Sequence, residues 1–182
     1  MKKLICALLA LLPFLHAEAQ ELALSTNVMD YVNFGTLNLE ASYGFARHWS
    51  VDAGVKYNPF SFGEGESAVQ NRQRSVSAGA RYWPWHIYSG WWIAGSVRYQ
   101  EYNSGGMTGP ETSEGDRLGS GLQGGYAYMV SPHFNLNFGA GAWAGRDVYK
   151  VYACPRCGRV LDHGSKFFFL PSDIIVSLSF IF

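Results

Sequence analysis

Hydrophobic and polar residues alternate with a period of two along most of this chain, and no stretch after the first twenty residues holds a helical period. Leu37, Leu39, Ala41, Tyr43 and Phe45 interleave with Thr36, Asn38, Glu40, Ser42 and Gly44. Trp49, Val51, Ala53, Val55 and Tyr57 alternate with Ser50, Asp52, Gly54 and Lys56, and Val76, Ala78, Ala80 and Tyr82 with Ser75, Ser77, Gly79 and Arg81. Such segments are two-faced strands. Further ones fit Glu21 to Met29, Trp91 to Gln100, Leu118 to Tyr128, Phe134 to Ala144 and Leu170 to Phe182. The pattern therefore predicts eight strands, and AGVKY, AGARY and GSVRY echo one another within them.

The connections alternate in length. Gly44 to His48, Pro84 to Tyr88 and Val130 to His133 are tight, whereas Asn58 to Asn71, Glu101 to Gly115 and Lys150 to Lys166 are long and polar, with a shorter Asp30 to Phe34 before them. Short turns at one end and long loops at the other fit an all-β, eight-stranded antiparallel up-and-down transmembrane β-barrel. A soluble periplasmic ligand-binding barrel shares the periodicity with its apolar face turned inward, so residue placement has to decide the solvent. The polar face carries Glu40, Asp52, Lys56, Arg81, Arg98, Gln123 and Asn137, which suit a narrow interior where charges pair. Phe45, Trp49, Trp83, Trp85, Trp91, Tyr128, Phe134 and Phe182 lie beside the short turns; Phe34, Tyr57, Phe60, Tyr102, Tyr149 and Phe167 to Phe169 lie at the opposite ends. Two aromatic girdles are expected of rings at two membrane interfaces. The finish IIVSLSFIF sets Ile174, Val176, Leu178, Phe180 and Phe182 on one face.

Composition agrees with strands in lipid rather than an apolar helix: 16% aromatic, 15% charged and 21 glycines in 182 residues. A formal net charge of zero gives no ground for a nucleic-acid partner. The opening MKKLICALLALLPFLHAEAQ reads as an export signal: Lys2 and Lys3, an apolar run from Leu4 to Leu15, then Ala17-Glu18-Ala19. Removal of residues 1–19 takes Cys6 with it and leaves 20–182 as one domain. The remaining cysteines, Cys154 and Cys157, then belong to an exported chain, where a disulfide is favoured over thiol chemistry.

The sequence YACPRCG admits other chemistry. A structural zinc site wants four ligands, and here Cys154, Cys157, Asp162 and His163 lie near one another in sequence, an atypical set. A catalytic dithiol wants a helix N-terminus to stabilise the thiolate, which a loop between strands lacks. A disulfide between Cys154 and Cys157 that shapes the loop tip is the expectation, with metal at Cys154, Cys157 and His163 the alternative. His48, His86 and His133, one in each short turn, are read as interfacial histidines. No catalytic residue and no cofactor is assigned, although a small membrane enzyme using His163 and the cysteine loop is a second reading.

The segments LALSTNVMDY, NFGTLNLE, HWS, YNPF, ARYW and CPRCG, together with the aromatic finish, resemble an uncharacterised outer-membrane barrel family of Bacteroides-type bacteria. Its members are known mainly as a domain of unknown function, often encoded near surface fimbriae. The architecture is also similar to small OmpA/OmpX-like barrels. The resemblance implies an outer-membrane location, the lipid bilayer as one partner, a surface or fimbrial protein as another, and a monomer that anchors or interacts through its loops.

Overall fold

The computed structural model describes residues 22–63, 69–106, 109–154, 158–171 and 174–182. The predicted signal peptide, 1–19, lies outside them. The described chain is almost wholly antiparallel strand, in the order β1 (Leu22–Asn27), α1 (Val28–Val32), β2 (Leu37–Ala46), β3 (Trp49–Asn58), β4 (Ser61–Phe62), β5 (Val69–Tyr82), β6 (Gly90–Gly105), β7 (Thr112–Ser131), β8 (Phe134–Tyr152), β9 (Val160–Pro171) and β10 (Ile175–Ile181).

Each long strand pairs with the next, and β10 pairs with both β8 and β1. Eight strands thereby close into a ring, β1-β2-β3-β5-β6-β7-β8-β10, with β4 on the flank of β5 and β9 on the distal half of β8. Closure is carried to the last residue. Ala23 to Asn27 align with Ile181 to Ser177, and the Phe182 amide donates to the Leu22 carbonyl at 2.9 Å.

Register lines the outward side chains into rows. One row runs Tyr43, Val51, Ala80, Gly95, Leu122, Ala142 and Pro171, without a charged group. Four residues along, the row Leu39, Val55, Val76, Tyr99, Leu118, Arg146 and Phe167 holds one charge. The next, Tyr57, Arg74, Glu101, Asp116, Val148 and Ser165, is half charged, and beyond it Arg72, Asn103, Glu114, Lys150 and His163 carry nothing apolar. Leu39, Val55, Val76, Leu118 and Leu122 are each more than half exposed. The apolar face of the alternation thus points outward, and the polar and small residues point in, the reverse of a soluble barrel.

Several expectations need correction. The sheet has ten strands, eight of them in the ring, because β4 falls inside the expected loop Asn58 to Asn71 and the expected strand Leu170 to Phe182 is shared between β9, which ends at Pro171, and β10, which starts at Ile175. The expected loops Glu101 to Gly115 and Lys150 to Lys166 are largely strand: β6 runs to Gly105, β7 starts at Thr112, β8 runs to Tyr152 and β9 starts at Val160; Asn58 to Asn71 holds β4 and the start of β5. In the extensions of β6, β7, β8 and β9 polar residues stand on both faces, with only Val148, Val151, Val160 and Leu161 as aliphatic exceptions, so alternation weakens while pairing continues. The first strand stops at Asn27, whose side chain accepts from the Met29 amide and caps α1 at Val28. Finally, Trp83, Tyr102 and Phe168 are buried at 1%, 8% and 7%, and belong to the interior instead of a girdle. Trp49, Trp85, Trp91, Tyr128 and Phe182 do stand exposed near the turn end.

Candidate functional site

The turn end of the ring is filled by aromatic rings. Trp83, Tyr88 and Trp92 pack with Ala23, Ala94, Ala127 and Ile181 into an apolar cluster of buried residues. Trp83 meets Tyr88 edge-on at 5.7 Å between centroids, its Nε1 donates to Ser50 Oγ at 3.2 Å, and the Tyr88 hydroxyl donates to the Ser42 carbonyl at 3.1 Å. Trp92 fits only because Gly125 has no side chain: a Cβ there would lie 2.6 Å from the indole. Two of the turn histidines lock neighbouring strand ends. His48 Nδ1 donates to the Trp83 carbonyl at 2.8 Å while the Trp83 amide donates to the His48 carbonyl at 2.9 Å, and His133 repeats the arrangement with Ile181 at 3.0 and 2.9 Å. His86 bridges to Ser89 within its own turn.

Beyond the aromatic layer the ring encloses a polar cavity of about 80 Å³. All seven interior residues expected from sequence line it: Glu40, Asp52, Lys56, Arg81, Arg98, Gln123 and Asn137. Arg81 lies 2.8 Å from Glu40 and 3.4 Å from Asp52, with its guanidinium 4.5 Å from the centre of the Trp92 ring. Lys56 pairs with Asp30 at 2.8 Å. Asp30 was expected in a loop; it is instead the buried acid of α1, which the pair holds against the distal mouth of the ring. Asn137 donates to Ser179 at 2.5 Å and to Ser177 at 3.3 Å. At roughly 30 Å³ per water, the space left suits a few water molecules and little else.

A second interior layer follows toward the distal end. Asp147, fully buried, accepts from Tyr102 at 3.0 Å and from Arg117 at 3.2 Å, and the Arg117 guanidinium stacks 3.8 Å from the Tyr102 ring centre. Trp143 meets Phe168 edge-on at 4.5 Å. Tyr149 donates to Asp162 at 3.1 Å and Tyr152 to Glu114 at 2.6 Å; these bonds to carboxylates hold both phenols above their ordinary pKa.

The seam of the ring differs from the rest of the wall. β1 ends at Asn27 and turns into α1, so among the described residues the distal half of the wall has no strand between β9 and β2. Amide side chains stitch the start of this gap. Asn27 Nδ2 donates to the Ile174 carbonyl at 3.2 Å and its Oδ1 accepts from the Val176 amide at 3.0 Å, as a strand neighbour would; Asn38 does the same for the Asn27 backbone at 2.6 and 2.9 Å. The stitching stops at Ile174. Among the described residues β9 pairs with β8 alone, and its other edge is open.

Antiparallel strands send alternate residues' N–H and C=O to opposite sides. The His163 amide bonds the Asp162 side chain at 2.8 Å, so it belongs to the open edge, and the same parity places the backbone of Ser165, Phe167 and Phe169 there. Phe167 and Phe169 are 77% and 71% exposed beside that edge.

The cysteine loop is the tip of the β8–β9 hairpin. Cys154 is buried, while Cys157, and with it the expected disulfide and the metal alternative with His163, lies outside the described residues. His163 faces Lys150 across the hairpin, and among the described residues no three His, Cys, Asp or Glu side chains gather into a ligand set. Sequence reasoning missed the open edge of β9 because its polar half, VLDHGSK, reads as loop.

A family model described as a protein of unknown function, DUF3575, matches residues 4–182. No curated protein matches the chain.

Proposed function

The chain belongs to the DUF3575 family, and from that premise we propose that it is an outer-membrane β-barrel, built like the small OmpX-type barrels of the Bacteroides-type envelope, that anchors a protein-binding sheet at the cell surface without catalysis. The outward apolar rows support the lipid-facing half of this reading, as does the ring of eight strands, whose members pair with one another as hydrocarbon requires; the part of the β9 edge that would stand clear of the apolar rows is Val160 to Ser165. Trp49 to Tyr57 of β3 spans about 27 Å of strand, or about 20 Å of height at the usual tilt, near the apolar band of such barrels.

The interaction half rests on one observation, the open edge of β9. A spanning strand needs ~9–11 residues, whereas β6, β7 and β8 have 16, 20 and 19. The surplus stands out of the membrane as a sheet whose last strand offers free main-chain donors and acceptors. Such an edge takes an extended segment of another protein by strand addition. A second copy fits it poorly, because antiparallel β9–β9 pairing would require one molecule to be upside down in the same bilayer. The partner is therefore a different surface protein, a fimbrial component among the candidates, and the chain itself is monomeric. The disulfide Cys154–Cys157 would stiffen the hairpin that carries the edge.

Two measurements on cells test this. Fractionation with the outer membrane and heat-modifiable migration in detergent are expected; a chain found in the soluble fraction would end the membrane reading. A photocrosslinker at Ser165 should capture a surface protein that one at Ser131, on the opposite end, does not. Equal capture from both positions would end the β9 reading.

A further inference from the structure

Between β1 and β2 the wall is not a strand. Residues 28–35 coil into α1 and a tight turn whose backbone bonds close on the stretch itself or on Thr36: Asn33 donates to Met29 and Asp30, Phe34 to Val32, Gly35 to Tyr31, and Thr36 to Asp30 and Asn33. Among the described residues none of its backbone groups bonds the backbone of a neighbouring strand. The stretch is a module set into the wall, outside the ladder that holds the strands together.

Of the five residues of α1 only Asp30 is buried, while Val28, Met29, Tyr31 and Val32 are all exposed. Asp30 lines the polar cavity and meets Lys56 of β3 through both carboxylate oxygens, at 2.8 and 2.9 Å. The other ties of the stretch are neutral. Asn58 Nδ2 donates to the Phe34 carbonyl at 3.1 Å, Asn71 to the Asn33 side chain at 3.2 Å, the Tyr31 hydroxyl meets Thr26 at 2.7 Å, and the Phe34 ring lies 6.1 Å from Phe62.

Both ends are anchored. Asn27 is stitched to Ile174 and Val176, and Thr36 is fully buried, with Asn58 and Gln73 donating to its hydroxyl at 3.0 and 3.3 Å. Just before that anchor Phe34 and Gly35 have positive φ, +52° and +72°, a conformation that strains a phenylalanine. A change of φ there swings α1 between two fixed points and relieves the strain.

We propose that residues 28–35 form a lid on the interior cavity, latched by Asp30 and Lys56, whose opening admits small polar solutes from the distal side to Glu40, Asp52, Arg81 and Arg98. The layer of Trp83, Tyr88 and Trp92 fills the turn end, so the opened ring is a vestibule with charged walls and not a channel. Lid and latch need only the ring and its cavity, and they hold whether or not the outer face meets lipid.

The test places a cysteine either at Ser77, which lines the cavity, or at Ala127, which is 1% exposed in the aromatic layer. The full mature chain is held in neutral maltoside micelles, and alkylation by uncharged iodoacetamide is followed through the mass of the peptide that carries each position. D30N and K56M should each speed alkylation of S77C roughly tenfold or more and leave A127C unchanged. The two substitutions change the charge near the thiol in opposite senses, so an electrostatic effect on its reactivity would slow one and speed the other. That outcome, or no change in either, would overturn the lid. Equal acceleration at A127C would overturn it as well, because the whole ring would then have loosened. Heat-modifiable migration checks the fold of each variant, and hydrogen exchange of the parent needs no variant: the Asn33 and Gly35 amides should exchange roughly tenfold or more faster than those of Leu39 and Ala41 in β2. Exchange as slow as that of the strand would also sink the lid.

Discussion

Replacing Arg81 by methionine removes the charge at the centre of the interior and keeps a side chain that fills much of its space. Arg81 is 8% exposed, 2.8 Å from Glu40 and 3.4 Å from Asp52, which is itself only 10% exposed. With an effective dielectric of ~20, the two attractions are worth about 6 and 5 kcal/mol before desolvation is counted. The net figure is smaller, because both partners left water to meet. Removing one member of a buried pair leaves its partners uncompensated and costs about 3–5 kcal/mol. Glu40, 38% exposed, recovers part of its hydration, so we expect about 3 kcal/mol, mostly from Asp52. In urea unfolding, followed by the mobility of unheated protein on a detergent gel, this lowers the midpoint by about 1 M or more. The triple change R81M/E40Q/D52N should recover most of the loss, since it leaves no stranded charge. A loss below about 1 kcal/mol for R81M, or a triple variant as unstable as the single one, would refute the pairing as the organiser of the interior.

Trp83→Ala should cost about 3–5 kcal/mol from the space it leaves; in planar bilayers the parent should pass no steady current, and W83A/W92A should leak, because those rings fill the turn end. A steady parent current would contradict the filled interior. Ser165→Pro, on the open edge where no ladder bond is lost, should leave heat-modifiable migration unchanged and reduce capture of the surface partner at least tenfold in crosslinking on cells. Mild reduction should raise the mass of the mature chain by two hydrogens and speed proteolysis at the β8–β9 tip. Its effect on stability should stay within about 2 kcal/mol, as a ring of four residues allows, and an unchanged mass would rule out the Cys154–Cys157 bond.

Where one face of a strand is apolar and the other polar, the sequence was enough. Leu37 to Gly44, Trp49 to Tyr57 and Val76 to Tyr82 are paired strands as expected, with Phe45 at a bulge, and the seven interior polar residues converge on one cavity. The period-two signal fails once both faces are polar. Glu101 and Lys150 then read as loop, and Arg72, Arg74 and Asp116 fall outside the expected strands, although each sits in a paired strand. Girdle membership failed for a related reason: Trp83, Tyr102 and Phe168 share the composition of interface residues, and only the parity of their positions sends them inward. The candidate surface was the least legible part. An unpaired edge is a property of which strand is missing beside β9, and that depends on β1 ending six residues after it begins.

The bond from Phe182 to Leu22, and the Ser25–Ser179 contact at 2.6 Å, join positions about as far apart in sequence as this chain allows. Such long-range pairing is slow to form, because the loop must close before the contact rewards it. Until the final strand arrives, the chain is an open sheet with two sticky margins and an apolar outer face. The ring's closure therefore sets an order of events: the protein is at greatest risk of aggregation just before completion, and a holding chaperone would matter most while residues 175–182 are still unplaced.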